Sequence, residues 1–140
     1  MPCAVIVDMS GSIGEPGKRR TAANLVSAVK WLEPYTEIFA WQWTITQAQD
    51  LNTVKPEGRA DVHTLYDFIT NSEHTRFLLI SDGNFDPELT LKPSGKLIRT
   101  LALGADADLR TLQQLSTNGI VYLAENVRAA FASAGYDYDE

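Results

Sequence analysis

Short apolar runs recur along the chain and predict the strands of a β-sheet. They lie at residues 4–7, 77–80, 97–103 and 120–123. The runs are leucine-rich or β-branched and hardly alternate with polar positions, which is typical of strands that are covered on both faces. We therefore expect a mostly parallel sheet that lies between layers of helices.

Between these runs the apolar residues recur at helical spacing. Residues 18–32 and 61–71 each carry one apolar stripe, and Asp108 and Asn126 are predicted N-caps of two further helices. Because strands alternate with helices, we expect βαβ units with right-handed crossovers. The predicted fold class is α/β, with a doubly wound, mostly parallel sheet flanked by helices.

The basic run Lys18-Arg19-Arg20 is expected to be a solvated helical turn, although basic residues there oppose the helix dipole.

A segment of different character follows the first predicted helix. Residues 36–50 alternate in polarity, which suits an extended pair or hairpin near a sheet edge. We expect Trp41 and Trp43 of this segment, and Trp31 before it, to pack in the core or along the edge strand rather than to form a binding platform. Residues 52–59 are expected to form a loop.

Length and composition indicate one ordinary globular domain. The chain has 140 residues, of which 44% are hydrophobic and 21% are charged. The sequence has no repeat or interdomain linker, so we assign residues 1–135 to one domain and residues 136–140 to an acidic C-terminal tail. The lone cysteine, Cys3, excludes an internal disulfide and is expected to be buried.

The charge balance argues against two classes of partner. A net charge of −6 and a pI near 4.8 leave no broad basic surface for nucleic acid or for an anionic membrane. No apolar stretch approaches the ~20 residues of a membrane-spanning helix, and the N-terminal residues lack the pattern of a signal peptide. We therefore expect a cytoplasmic protein that binds neither nucleic acid nor membrane.

Candidate chemistry is concentrated where two of the apolar runs end. Asp8 directly follows the first run, and Asp82 comes two residues after the second. In an open parallel sheet, ligands bind in the crevice outside the carboxyl ends of the strands. Both aspartates are therefore expected to face the same crevice.

The residues that follow Asp8 complete a metal-binding pattern. Asp8, Ser10 and Ser12 alternate along an extended turn, so a carboxylate and two hydroxyls are expected to point to one place, and the small Gly11 lets the turn close. These hard oxygen donors suit Mg²⁺ or Mn²⁺, with water at the remaining coordination positions. Asp82 would add a second carboxylate. The predicted metal ligands are Asp8, Ser10, Ser12 and Asp82.

Two motifs resemble those of a known family. Residues 4–12, Ala-Val-Ile-Val-Asp-Met-Ser-Gly-Ser, resemble the first strand and the metal-ion-dependent adhesion site (MIDAS), Asp-x-Ser-x-Ser, of von Willebrand factor A (vWA) domains. Residues 78–83, Leu-Leu-Ile-Ser-Asp-Gly, are similar to the strand whose terminal Asp completes that site, and the order of elements over residues 98–123 also fits. The resemblance implies a Rossmann-like vWA fold and a non-enzymatic interaction module.

One ligand position departs from the family pattern. The family supplies a threonine from a loop, usually as Gly-Thr-Asp, whereas the matching stretch here is Gly58-Arg59-Ala60-Asp61. Ala60 therefore stands at the threonine position and removes one hydroxyl ligand. The resemblance implies a partly degenerate MIDAS, in which water or Asp61 takes the place of the threonine.

In the family, the metal leaves one coordination position for a carboxylate of the partner protein. Carried over to this chain, the site would bind an Asp or Glu of another protein, with Asp61, Asn84 and Asp86 forming the rim. By analogy with the family, the partner is expected to be an ATPase, a kinase or another effector encoded elsewhere, in a bacterial type of system.

Two other functions stay open. Residues 81–86, Ser-Asp-Gly-Asn-Phe-Asp, are also similar to the acidic motif of haloacid dehalogenase-like phosphatases, in which Asp8 would be the nucleophile of a Mg²⁺-dependent reaction. That chemistry needs a second Asp as general acid/base two residues later, where this chain has Ser10. The remaining alternative is a metal-free scaffold of vWA fold.

Overall fold

The computed structural model describes residues 3–86 and 95–136, which form a six-stranded sheet and four α-helices. The strands are β1 (Ala4–Asp8), β2 (Ile38–Trp41), β3 (Ile45–Gln47), β4 (Arg76–Ser81), β5 (Leu97–Ala102) and β6 (Val121–Tyr122). The helices are α1 (Pro16–Leu32), α2 (Val62–Asn71), α3 (Leu109–Leu115) and α4 (Val127–Tyr136).

The sheet is doubly wound, as predicted. Its strand order is β3-β2-β1-β4-β5-β6, so the chain starts in the middle of the sheet and adds strands on both sides. All neighbouring pairs are parallel except β2 and β3, which form the antiparallel edge hairpin expected over residues 36–50. The carboxyl ends of the adjacent strands β1 and β4 therefore lie at the same edge.

The core has two layers, one on each face of the sheet. On one face, Val5 and Val7 of β1 pack with the apolar stripes of α1 and α4. On the other face, Ala4 and Ile6 pack with α2 and with Leu115 of α3. Because successive side chains of a strand point to opposite faces, β1 needs an apolar residue at every position between its helix layers. This explains why the first apolar run does not alternate.

The three tryptophans do not share one environment. Trp41 is 0% exposed, and its indole N–H donates to the carbonyl of Asp61 at 3.0 Å. Trp31 is 87% exposed on α1, so the expectation that it packs in the core or along the edge strand was wrong. Trp43 is 61% exposed and belongs to the edge hairpin rather than to the core. Trp31 lies two residues after the buried Val29 on α1, and residues two apart on a helix face different directions. Trp43 lies in the turn of the hairpin, beyond the paired residues.

Local signals define most of the helix ends. Helix α1 begins at Pro16, two residues before the predicted start, where a residue without an N–H is tolerated. The carboxylate of Asp108 accepts a hydrogen bond from the N–H of Thr111 and caps α3 as predicted. Asn126, a predicted cap, instead ends a short 3-10 turn directly before α4.

The predicted acidic tail lies almost wholly outside the described residues. Helix α4 ends at Tyr136, and residues 137–140 are not among those described. Among the helices of the described ranges, none has both the length and the apolar content needed to cross a membrane.

Candidate metal site

The predicted ligands lie at the carboxyl edge of the sheet, where β1 and β4 end side by side. Asp8 is the last residue of β1, and Ser81 is the last residue of β4. The two strands pair in parallel, with Val7 opposite Ile80. Because Asp82 directly follows Ser81, the two aspartates lie at neighbouring strand ends, next to the crevice where ligands of such sheets bind.

Asp8 is the centre of a buried hydrogen-bond network. Its side chain is 0% exposed. Oδ1 accepts from the N–H of Ser10 at 2.9 Å and from the Ser10 hydroxyl at 2.7 Å, while Oδ2 accepts from the Ser81 hydroxyl at 2.7 Å. Burial raises the pKa of Asp8; the bonds from Ser10 and Ser81 offset part of this effect, and the nearby Asp82 carboxylate adds to it. A cation at this edge would therefore stabilise the ionised form of Asp8.

Ser10 and Ser12 lie in the turn that follows β1. Residues Gly11–Gly14 form a 3-10 turn, whose first N–H donates to the carbonyl of Gly58 at 3.0 Å and ties the turn to the loop before α2. The hydroxyl oxygens of Ser10 and Ser12 are 3.4 Å apart. The Ser10 hydroxyl donates its hydrogen bond to Asp8, so the lone pairs of its oxygen can face a cation.

Asp82 is also buried, and an ammonium group neutralises it. Its Oδ1 accepts from the N–H of Asn84 at 3.1 Å, and its Oδ2 accepts from Nζ of Lys18 at 3.1 Å. Lys18 lies between Asp82 and the exposed Asp106, whose Oδ1 is 2.9 Å from Nζ. The expectation of a solvated helical turn was therefore wrong for Lys18, whose side chain is 5% exposed.

The charges around Lys18 fix its ionisation state. Burial by itself lowers the pKa of Lys18, but hydrogen bonds to Asp106 and Asp82 and the charges of both carboxylates outweigh this effect and leave the pKa raised. The hydrogen bond from Lys18 lowers the pKa of Asp106. A permanent positive charge therefore stands next to one of the predicted metal ligands.

The predicted rim residues lie in different environments. Asp61 is the N-cap of α2, where its carboxylate accepts from the N–H of His63 at 3.3 Å and from the Thr64 hydroxyl at 3.0 Å. Asn84 and Asp86 are exposed in the loop after β4. Asp61 thus has a structural role at the start of α2, whereas the side chains of the other two are free to contact solvent.

Ala60, at the position of the family's threonine, belongs to an apolar cluster. It is 5% exposed and lies in the core layer that contains Trp41 and Val62. The methyl group of Ala60 offers no ligand atom, so a cation here would depend on the predicted serine and aspartate ligands and on water.

The loop after β4 turns tightly against the start of α3. Gly83 has φ +74, and a Cβ atom there would lie 2.6 Å from the carbonyl oxygen of Asp108. The N–H of Asp108 donates to the carbonyl of Asp82 at 2.8 Å. Only glycine allows this close approach, which holds Asp82 at the strand end.

Three further residues at this edge were not predicted from the sequence. Ser81 supports Asp8, and Asp106 shares the ammonium group of Lys18. The exposed Trp43 lies over Gly58, where a Cβ atom would be 2.5 Å from its Nε1. Asp106 could have been predicted from the sequence, because it lies in the loop after β5, a third strand whose carboxyl end reaches this edge. The position of Trp43 could not, since its contact with Gly58 depends on how two separate loops pack.

The donor set fits a small, hard divalent cation. Adjacent ligands of an octahedral Mg²⁺ lie about 3 Å apart when the metal–oxygen distance is about 2.1 Å, and the Ser10 and Ser12 oxygens are 3.4 Å apart. Within residues 3–86 and 95–136, no three His, Cys, Asp or Glu side chains come together as metal ligands. A cation at this edge would therefore depend on the serine hydroxyls together with carboxylate and water.

Comparisons with known proteins identify the fold. Neither a family model nor a curated protein matches the sequence. An aerotolerance-related membrane protein from Bacteroides fragilis, crystallised with multiple mutations to serine, superposes with a TM-score of 0.70 at 13% identity, over 94% of this chain and 95% of its own. A von Willebrand factor type A structure from Catenulispora acidiphila has a TM-score of 0.62 at 13% identity, over 94% of this chain and 42% of its own.

A third similar structure contains a metal. Proximal thread matrix protein 1 from the mussel byssus, with a zinc-occupied MIDAS motif, has a TM-score of 0.62 at 13% identity, over 94% of this chain and 46% of its own. The chain thus spans nearly all of the Bacteroides structure and less than half of the other two. It has the vWA-like fold that the sequence motifs implied, and that prediction is confirmed.

Proposed function

We propose that this chain is a protein-interaction module that binds a partner protein at the carboxyl edge of its sheet, through a divalent cation at the Asp8-x-Ser10-x-Ser12 loop. The observation that carries the proposal is the orientation of the Ser10 hydroxyl by a buried carboxylate, 3.4 Å from the Ser12 hydroxyl. A preorganised pair of hydroxyl oxygens over an acidic centre suits Mg²⁺ or Mn²⁺.

The four predicted ligands would have different roles. Ser10 and Ser12 would hold the cation through their hydroxyl oxygens, and Asp8 and Asp82 would contribute negative charge directly or through water. The cation would supply a positive charge with one position left for an Asp or Glu of the partner. The zinc-occupied MIDAS of the mussel protein, which has a similar fold, supports this chemistry.

The environment of Asp8 favours binding over catalysis. Both oxygens of Asp8 accept hydrogen bonds, from Ser10 and from Ser81, and these bonds weaken the carboxylate as a nucleophile. The position two residues later is Ser10, which has no acid/base function near neutral pH. We therefore favour a non-enzymatic module over the haloacid dehalogenase-like alternative.

The partner would meet a rim of exposed residues. We expect Asn84 and Asp86, which are exposed in the loop after β4, to form part of this rim. Trp43, which is 61% exposed and lies over Gly58, would add an aromatic contact. Exposed tryptophans are frequent anchors in interfaces. An ATPase, a kinase or another effector encoded elsewhere is the partner class that we predict by family analogy.

A second candidate function is a metal-free scaffold. Two observations favour it: Ala60 provides no hydroxyl, and the Lys18 ammonium group already neutralises Asp82. In this case the partner would bind the same fold through another surface, and cations would have no effect.

Calorimetric titration with Mg²⁺ and Mn²⁺ separates the two candidates. We expect the wild type to bind one cation and Ser10→Ala/Ser12→Ala to lose binding, while Ser27→Ala, an exposed serine on α1, serves as the matched control. Unchanged binding in the double variant would mean that the cation lies elsewhere. Binding by Ala60→Thr but not by the wild type would mean that the site is a relic, which favours the scaffold.

Partner capture tests the docking step. Immobilised wild-type protein is incubated with a lysate of the source cells in Mg²⁺ and, separately, in EDTA, and the retained proteins are identified by mass spectrometry. We expect a partner that is retained only with Mg²⁺ and that is absent when Ser10→Ala/Ser12→Ala is the bait. Equal retention of that partner by the double variant would contradict metal-dependent docking.

A further inference from the structure

Lys18 is a buried cation beside the candidate metal site. Its side chain is 5% exposed, and its ammonium group is 3.1 Å from Oδ2 of Asp82 and 2.9 Å from Oδ1 of Asp106. The carboxylate of Glu15 is 4.0 Å away and largely exposed. The ammonium group therefore bridges a buried carboxylate of the site and an exposed carboxylate in the loop after β5.

Two features indicate that the fold is built around this lysine. Lys18 lies in the first turn of α1, where the helix dipole disfavours a positive charge, so the two carboxylates must offset that effect. Its aliphatic stem also packs against Gly104, where a Cβ atom would lie 2.7 Å from Cε of Lys18. A side chain at residue 104 would therefore clash with Lys18, and glycine leaves the space that the lysine occupies.

We propose that Lys18 is an internal counter-ion that competes with a divalent cation for Asp82 and so limits the metal affinity of the site. The inference rests on the proposed metal site. Asp106 provides the second position for the ammonium group, to which Lys18 turns when a cation takes Asp82.

The contacts of Asp82 explain the competition. One of its oxygens accepts from Asn84 and the other accepts from Lys18, so a cation that binds Asp82, directly or through water, shares the carboxylate with the ammonium group. Two positive charges that share one carboxylate also repel each other strongly where water is scarce. A cleft of ≈ 500 Å³, lined in part by Lys18, Gly104 and Asp106, gives the ammonium group room on the Asp106 side.

Metal affinities of four proteins test the proposal, with Mn²⁺ as the probe and calorimetry as the readout. Lys18→Met keeps the length of the side chain and removes its charge, and we expect it to bind Mn²⁺ about tenfold more tightly than the wild type, or better. Asp106→Asn leaves Lys18 with Asp82 alone, so we expect binding about threefold weaker or more. Glu15→Gln removes a nearby exposed charge without a close bond to the lysine, and should stay within about twofold.

A double variant separates the action of Asp106 through Lys18 from its own charge. If Asp106 acts by holding the ammonium group, Asp106→Asn should change the affinity of Lys18→Met by less than about twofold. A threefold loss in both backgrounds would instead mean that Asp106 attracts the metal by itself, and the shared-lysine arrangement would be wrong.

The outcomes distinguish this inference from the proposed function. Equal affinities of folded wild type and Lys18→Met would overturn the role of Lys18 and leave the metal site standing. No binding by either protein would overturn the metal site and this inference with it. Lys18→Met leaves Asp82 as an unpaired buried charge, which can prevent folding. In that case Asp106→Asn is the deciding variant, since Asp106 is 59% exposed and its replacement does not disturb the core. A Mn²⁺ affinity of Asp106→Asn equal to that of Glu15→Gln would refute the proposal.

Discussion

The hydroxyl of Ser81 joins the two strand ends that form the site, and Ser81→Ala tests how firmly Asp8 is held. Ser81 is 0% exposed. Its hydroxyl donates to Oδ2 of Asp8 at 2.7 Å and accepts from the N–H of Gly83 at 3.0 Å. Alanine removes both bonds at once and leaves a buried carboxylate oxygen and a buried N–H without this partner.

The expected loss follows from these two bonds. A hydrogen bond to a charged group contributes about 1.5–3 kcal/mol, and a buried donor left unpaired costs about 1–3 kcal/mol. The site lies at an edge of the sheet next to the exposed Asn84, so a water molecule can replace part of the hydrogen bonding that the Ser81 hydroxyl provides. We therefore expect a decrease of about 3 kcal/mol in the free energy of unfolding, in the lower half of the combined range.

Urea denaturation followed by far-UV circular dichroism measures this decrease. Ser27→Ala, on the exposed side of α1, is the control and should change the free energy of unfolding by no more than about 0.5 kcal/mol. A loss below about 1 kcal/mol in Ser81→Ala, with an unchanged denaturant slope, would refute the reasoning. It would mean that Asp8 does not depend on the neighbouring strand for its position.

Three further predictions concern stability and reactivity. Gly83→Ala should lower the free energy of unfolding in urea by about 3 kcal/mol or more, because the new Cβ would meet a backbone carbonyl. Gly119→Ala, with open space at a similar positive φ, should lower it by about 1 kcal/mol. Equal losses in the two variants would contradict the clash at Gly83. Trp41→Ala should lower the free energy of unfolding by about 3–5 kcal/mol, whereas Trp31→Ala, at an exposed position, should lower it by no more than about 0.5 kcal/mol. Similar melting temperatures of the two variants would be inconsistent with this difference in packing. Burial raises the pKa of Cys3 to about 12, so Ellman's reagent should label this thiol slowly in the folded protein and completely in urea; fast labelling of the native state would show that the thiol is accessible.

The closeness of the two candidate carboxylates could be predicted because each is tied to a local pattern. Asp8 and Asp82 follow apolar runs that do not alternate, and such runs indicate parallel strands buried on both faces. Parallel strands bring their carboxyl ends to one edge, so the pattern also predicts where the aspartates meet. Ser10 and Ser12 lie within four residues of Asp8, and the conformation of one short turn is enough to place them.

The exposure of the tryptophans could not be predicted in the same way. Trp31, Trp41 and Trp43 have the same side chain, yet only Trp41 lies at a strand position between two layers. The other two lie on an outward helix face and in a turn, and hydrophobicity alone does not distinguish these places from the core.

The sequence by itself determined the α/β alternation, the doubly wound sheet and the oxygen-rich loop after β1, because each depends on residues that are close in the chain or on the rule that parallel strands align. Only the tertiary structure decided which charges meet at the site. Lys18 pairs with Asp82 and Asp106, which are 64 and 88 residues away in the chain. Ser81 reaches Asp8 across 73 residues. Such contacts depend on strand register and on how α1 packs over the strand ends, and the energy of a buried charge is set by the partners that packing brings to it.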